Sequence, residues 1–307
     1  MSGVSQHVPE PRNLEGALRT FRAGIHAAIT RRTVVKTDGS MDTSYKDSAA
    51  AFNAYIRTQK GIRGIHRYAV RLFRNVGVPE GRIFLEEKLR TANGRKLQDI
   101  AIKPPAQGTA TPPDAVISIG VKSQVASVMK NFRNNFSSTR SDITDFHELF
   151  PAQVVGHIQL IALQEVVTSQ VGDDGDLLFA KLSSASLARI FCTYARLSGR
   201  QGPNDAHQRA ERVGLIITDL RPRTPKIYTS LDALIGDGWV TEEDVRKHGL
   251  TQDILDSLQL DERFAQDLLG IHASRYPDSS IVPQGVEATG ELHAVAPDRS
   301  SCSECSK

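Results

Sequence analysis

The stretch from Asp114 to Phe136 reads DAVISIGVKSQVASVMKNFRNNF, and its change of period decides the fold. Over Val116 to Lys122 the period is two: Val116, Ser118, Gly120 and Lys122 share one face, Ile117, Ile119 and Val121 the other. That predicts a half-buried strand from Asp114 to Lys122. Beyond it, Val125, Val128, Met129, Phe132 and Phe136 fall at helical spacing, with Ser127, Lys130, Asn131 and Asn134 on the opposite side and Ser123 as the expected N-cap. A strand ending on a lysine thus passes directly into a basic, asparagine-rich helix. Such a lysine does chemistry only if carboxylates lie near it.

Those carboxylates are sought first in the preceding hairpin. RIFLEEKLR and LQDIAIK, joined through ANGRK, read as two strands around a tight Asn93-Gly94 turn. A two-residue turn there pairs Ala92 with Arg95, which sets Asp99 opposite Lys88 with Glu86 on the diagonal. Glu86, Lys88, Arg90 and Asp99 then form a polar face, while Glu87 lies with Ile83, Leu85, Leu89, Ile100 and Ile102. A one-residue bulge would exchange the faces of the two glutamates, so Glu86 and Glu87 stand as alternatives. A Pro-, Gly-, Ala- and Thr-rich loop from Pro104 to Pro113 makes the strand from Leu97 to Lys103 a neighbour of the strand from Asp114 to Lys122, bringing Asp99 beside Ser118 to Lys122. Asp114 is eight residues from Lys122 on one extended strand, about 26 Å away, and is excluded from any site containing that lysine.

N-terminal to the hairpin, residues 1–12 read as disordered and 13–78 as a helical segment whose first helix, capped by Asn13, carries Leu14, Leu18, Phe21, Ile25 and Ala28. A second helix carries Ala49, Phe52 and Ile56. A third follows Gly61, and in it Arg63, Arg67, Arg71 and Arg74 stack on one face. Two readings stay open for this edge: contact with a phosphate backbone, or a solvated face with acidic partners.

C-terminal to the opening stretch comes an acidic helical segment with Asp142, Asp145, His147 and Glu148, then a covered strand, AQVVGHIQLIAL, in which His157 reads as a satisfied core histidine. VGDDGDL from Val171 is a turn, lacking the distal glutamate of a calcium loop. A long helix is expected over Phe179 to Leu197 and another strand over RVGLIITDL. An α/β core over 79–225, a mixed sheet flanked by helices, is therefore followed by short helical pieces over 226–275 that could read DNA, dimerise or cover the sheet. Residues 276–307 read as a disordered tail.

The 307 residues carry a net charge of +3, which permits a polyanionic partner without requiring one. Three cysteines, with Cys302 and Cys305 near the end, form neither a disulfide framework nor a complete zinc site. No apolar run is long enough to span a bilayer and the first thirty residues lack a signal-peptide core, so no membrane association and a cytoplasmic location are expected.

The order strand, strand with Asp99, strand with Lys122, helix, strand, helix, strand resembles the PD-(D/E)xK nuclease superfamily, and type II restriction endonucleases in particular, over roughly residues 80–220. The sharpest piece is Lys122-Ser123-Gln124 followed by KNFRNNF, similar to a (D/E)-x-K-S-Q run leading into an asparagine-rich segment in some restriction enzymes. The resemblance implies a restriction-endonuclease-like core, Mg²⁺ as cofactor, double-stranded DNA as substrate, a homodimer, and a DNA methyltransferase in the same system. It makes Asp99 the metal-binding aspartate and Lys122 the lysine that orients or activates the attacking water. The family's acid two residues before the lysine is Gly120 here, so Glu86 or Glu87 is the expected replacement. Asp142, about five helical turns on, is the poorer source. Gln124, Lys130, Asn131, Arg133 and Asn134, with Arg63, Arg67 and Arg71, are the expected DNA contacts. A DNA-binding or phage-defence protein that has lost cleavage, and a repair nuclease of the same fold, are the alternatives.

Overall fold

A computed structural model describes residues 13–35, 40–57, 60–104, 114–173, 175–277 and 281. The disorder expected for 1–12 and for most of 276–307, most of the Pro-rich loop and the Cys302/Cys305 pair lie outside the described residues.

The chain opens with helix α1 (Leu14–Arg31), whose Asn13 side chain accepts the Gly16 N–H at 2.8 Å, the expected N-cap. A two-residue ladder, β1 (Val34–Val35) with β2 (Met41–Asp42), leads to α2 (Ser48–Arg57) and α3 (Arg63–Asn75). After Pro79 and a 3-10 turn come β3 (Ile83–Thr91), β4 (Gly94–Ile102) and β5 (Ile117–Gln124), then the 22-residue α4 (Val128–Leu149) and β6 (Val154–Ala162). The hairpin β7 (Gln164–Val171) and β8 (Leu177–Lys181), helix α5 (Ser184–Leu197), β9 (Arg212–Asp219) and β10 (Lys226–Tyr228) follow. The described chain ends through α6 (Leu231–Gly236), α7 (Glu242–His248), α8 (Gln252–Ser257) and α9 (Glu262–Arg275).

Six of these strands form one mixed sheet in the order β10-β9-β6-β5-β4-β3. β5, β6 and β9 run parallel, and the two outer hairpins, β3–β4 and β9–β10, are antiparallel. Helices cover both faces. Ile117, Ile119 and Val121 of β5 point into a core shared with Phe21 of α1, Phe73 of α3 and Phe264 and Leu268 of α9. On the opposite face, Val155, Ile161, Val213 and Ile217 pack with Phe132 and Phe146 of α4, Phe191 and Tyr194 of α5 and Trp239. Central β6 is buried at every position, which is why its sequence is near-continuously aliphatic rather than alternating.

Four expectations change. β5 runs two residues further than its alternation suggested, so Ser123 lies in the strand. Helix α4 is preceded by Ser127 in the left-handed region at φ 47°, with no side-chain cap. Phe179 belongs to β8 rather than to a helix; α5 starts only after Ser183, whose hydroxyl accepts the Ser186 N–H. Residues 226–275 are no separate module: β10 extends the sheet, Trp239 is buried against one face and α9 against the other. This stretch covers the sheet on both faces.

Candidate active site

The hairpin carries the expected residues with a register shifted by two. Thr91 pairs with Gly94, so Ala92 and Asn93 are the turn and Gly94, at φ 115°, opens the return strand. Glu87 then pairs with Gln98 and Leu85 with Ile100, which sets Glu86, not Lys88, across from Asp99. At that pair the ladder is interrupted, and Glu86 sits in the left-handed region at φ 55°. The register is nevertheless the same on both sides of the interruption, so the one-residue bulge that would exchange the faces of the two glutamates is not formed, and Glu86 and Glu87 point apart. Glu86 turns to the α3 side, where the Arg63 guanidinium grips it in a forked pair at 3.0 to 3.1 Å. Glu87 instead accepts Lys103 Nζ at 2.8 Å.

The interruption also frees Asp99 from ordinary pairing. The β4–β5 ladder stops at Ile100–Ile119, and beyond it the Asp99 carboxylate itself takes the Val121 N–H at 2.6 Å, replacing a backbone acceptor. This fixes Asp99 one residue from Lys122 across the two strands, as the sequence suggested. Burial pushes the Asp99 carboxyl up to about 6; the Val121 N–H and Lys122 oppose the rise, and Glu86 and Asp142 add to it. Behind it stands His66 of α3, 1 % exposed, with Nε2 at 3.8 Å from Asp99 Oδ1 and no hydrogen-bond partner. Burial drives that imidazole down to about 4, so it is neutral at pH 7.

Lys122 points to the α4 side of the sheet, where its Nζ lies 2.9 Å from Asp142 Oδ2 and 3.2 Å from Ser138 Oγ. Asp142 also accepts Lys96 Nζ at 2.8 Å. Burial raises the Asp142 carboxyl, but Lys122 and Lys96 outweigh it and hold it below the usual carboxylate range. Asp99, Lys122 and Asp142 line one cleft of about 290 Å³, together with Gly120, Thr139 and His157. His157 is buried, as expected of a core histidine, with Nε2 3.3 Å from Gln159 Oε1. Burial first and Lys122 second push it down to about 3. A larger cleft, about 390 Å³ between Leu14, Tyr68 and Leu258, has mainly aliphatic walls and holds none of these groups.

Asp142 is the group the sequence reading undervalued. Counting turns from Lys122 overlooked that a helix joining parallel strands must fold back over the first of them; the signal was the need for β6 to run parallel to β5. Asp114, by contrast, is engaged elsewhere, accepting the Arg90 N–H at 2.7 Å and Arg90 Nε at 2.9 Å.

Of the expected nucleic-acid contacts, Lys130, Asn131, Arg133 and Asn134 are exposed along α4. Gln124 is not available to them: it is 3 % exposed and its amide donates to the Val128 carbonyl at 2.9 Å, closing the turn between β5 and α4. On α3, Arg63 is held by Glu86 and Arg74 by Glu80, so this edge has the acidic partners of a solvated face; Arg67 and Arg71 are half-buried.

For a hard divalent cation the donor chemistry of the cleft is suitable, since Asp99 offers carboxylate oxygen. Glu86 and Glu87 diverge toward Arg63 and Lys103, and among the described residues no three carboxylate, histidine or cysteine side chains form a ready cage. Neither protein-family comparison, nor characterised proteins, nor solved structures yield a match to this chain.

Proposed function

We propose that this chain is a phosphodiesterase acting on nucleic acid, and specifically a Mg²⁺-dependent, sequence-specific endonuclease of double-stranded DNA of the type II restriction class. The observation that carries the reading is the Asp99–Val121–Lys122 junction. A buried carboxylate and an ammonium are fixed on adjacent strands in a cleft whose other wall is α4, and α4 also carries exposed basic and amide side chains. The order α3, β3–β4–β5, α4, β6 supports the restriction-endonuclease-like comparison made from sequence.

In this reading Asp99 holds the cation, which would lower the pKa of a bound water and polarise the scissile phosphate. Lys122 Nζ swings from Asp142 to the phosphate, orients the attacking water and offsets charge on the developing phosphorane. Lys130 and Arg133 contact phosphates, and Asn131 and Asn134 can reach base edges, asparagine matching adenine. A homodimer would offer one cleft to each strand. A cytoplasmic location and a methyltransferase of the same specificity belong to the same proposal.

Gly120 favours a second reading, a DNA-binding protein that does not cut, because the family's usual acid is missing from that position. Purified protein incubated with phage DNA and Mg²⁺ or Mn²⁺ separates these. Discrete fragments support the restriction reading and a smear supports a repair-type nuclease. Retarded but intact DNA supports the second reading.

A further inference from the structure

We infer that Asp142, from α4, supplies the carboxylate that Gly120 lacks, so that Asp99 and Asp142 together form the divalent-cation site and Lys122 is the counter-ion Asp142 gives up when the cation binds. This rests on the nuclease reading for its purpose but not for its geometry. Asp99 and Asp142 both line the same cleft, and Lys122 Nζ lies 2.9 Å from Asp142.

Two further observations point to a ligand there. Thr139, one helical turn before Asp142 and lining the same cleft, is 1 % exposed, yet its hydroxyl has no hydrogen-bond partner. A buried hydroxyl without a partner has lost its hydrogen bonds to water and gained none in return. A hydrated cation or a phosphate oxygen in the cleft would satisfy it. At Gly120, moreover, an added Cβ would meet nothing nearer than Gln98 Nε2 at 3.6 Å and His157 Nδ1 at 3.7 Å. A Cβ at this position of β5 would sit in ordinary contact with its neighbours, and glycine leaves that point bare. Asp142 reaches the cleft from the opposite wall.

The competing explanation is that Asp142 merely pins α4 to the sheet through Lys96 and Lys122. Charge neutralisation alone would explain those pairs, but it gives no reason for the unpartnered threonine. The two roles separate experimentally. Mn²⁺ binding is measured by isothermal titration calorimetry on wild type, Asp142→Asn, Lys96→Met and the double variant Gly120→Asp/Asp142→Asn, with plasmid cleavage and thermal melting alongside.

The expected result is that Asp142→Asn weakens Mn²⁺ binding about tenfold or more, since even outer-sphere partners of a metal contribute that much. Lys96→Met should lower the melting temperature yet keep Mn²⁺ binding, and the added Gly120→Asp should restore binding to the double variant. Unchanged Mn²⁺ binding in Asp142→Asn would overturn the inference. So would equal loss in Lys96→Met, which would make the ion-pair scaffold the cause. If Asp142→Asn keeps both binding and cleavage, the inference fails and the nuclease reading survives. If wild type binds Mn²⁺ through Asp142 and never cuts DNA, the site stands and the nuclease reading fails.

Discussion

Asp99 is placed where folding alone would not put a carboxylate. Its folded pKa of about 6 lies above the ordinary 3.8, so the folded state binds its proton more tightly than the unfolded chain does. The stability it contributes is full below about pH 4 and is lost as pH rises through 6. Asp99→Asn can still accept the Val121 N–H through its amide oxygen, so it should stabilise the protein at pH 8 by up to about 3 kcal/mol, with the gain vanishing near pH 4. Urea melts at the two pH values check this; equal stability of variant and wild type at pH 8 would show that the burial of Asp99 is not costly. Choosing Asp99 over Asp114 was possible from sequence because the rise of a strand is a fixed length. Asp142 was passed over because its nearness to Lys122 depends on the path of α4 over β5, which follows from the parallel β5–β6 pairing and not from distance along the chain.

The β5–α4 element was legible because its period changes from two to 3.6 within a few residues. The hairpin before it was legible as a hairpin but not in register. Asn-Gly normally occupies the two centres of a tight turn, whereas here Gly94 takes its φ of 115° as the first residue of β4. Because that backbone geometry is costly for a residue with a side chain, Gly94→Ala should destabilise by about 1 to 2 kcal/mol, measured by denaturant midpoint. A neutral outcome would mean that the turn can relax to the register its sequence favours. The β7–β8 hairpin was missed because Phe179, Leu182 and Leu187 mimic helical spacing; Ser183 as N-cap was the available clue to where α5 begins. On α4, the exposed Lys130 and Arg133 are the proposed phosphate contacts. Replacing both with glutamate should weaken DNA binding by a similar factor for all sequences and lower the salt-dependence slope by about one per lost contact, as read by filter binding or fluorescence anisotropy. Loss confined to one sequence would reassign them to base reading.

At the scale of the whole molecule the sheet joins segments that composition had divided. Gly156 of β6 and Gly214 of β9 lie so close to α9 and the chain before it that an added Cβ would come within 3.0 Å of Leu268 Cδ1 and Leu260 Cδ1. Phe264, Leu268 and Trp239 are buried to the same degree as the strands beneath them. A chain cut after Pro225 should therefore fail to give a cooperative thermal transition, where an independent module would have left the 79–225 core folded. Sequence divided these pieces because short capped helices look self-contained; their apolar faces are satisfied only by the sheet.

The proposed cleavage requires Asp99 and Lys122 to act together in one cleft on DNA. The most direct test is cleavage of supercoiled plasmid carrying a cut site by wild type with Mg²⁺, wild type with EDTA, Asp99→Asn and Lys122→Ala, each confirmed folded by melting. Linear product is expected with wild type and Mg²⁺ only, with a loss of roughly 10²-fold or more in rate for Lys122→Ala. Cleavage by Lys122→Ala or Asp99→Asn at the wild-type rate would contradict the proposal, as would intact plasmid in every lane.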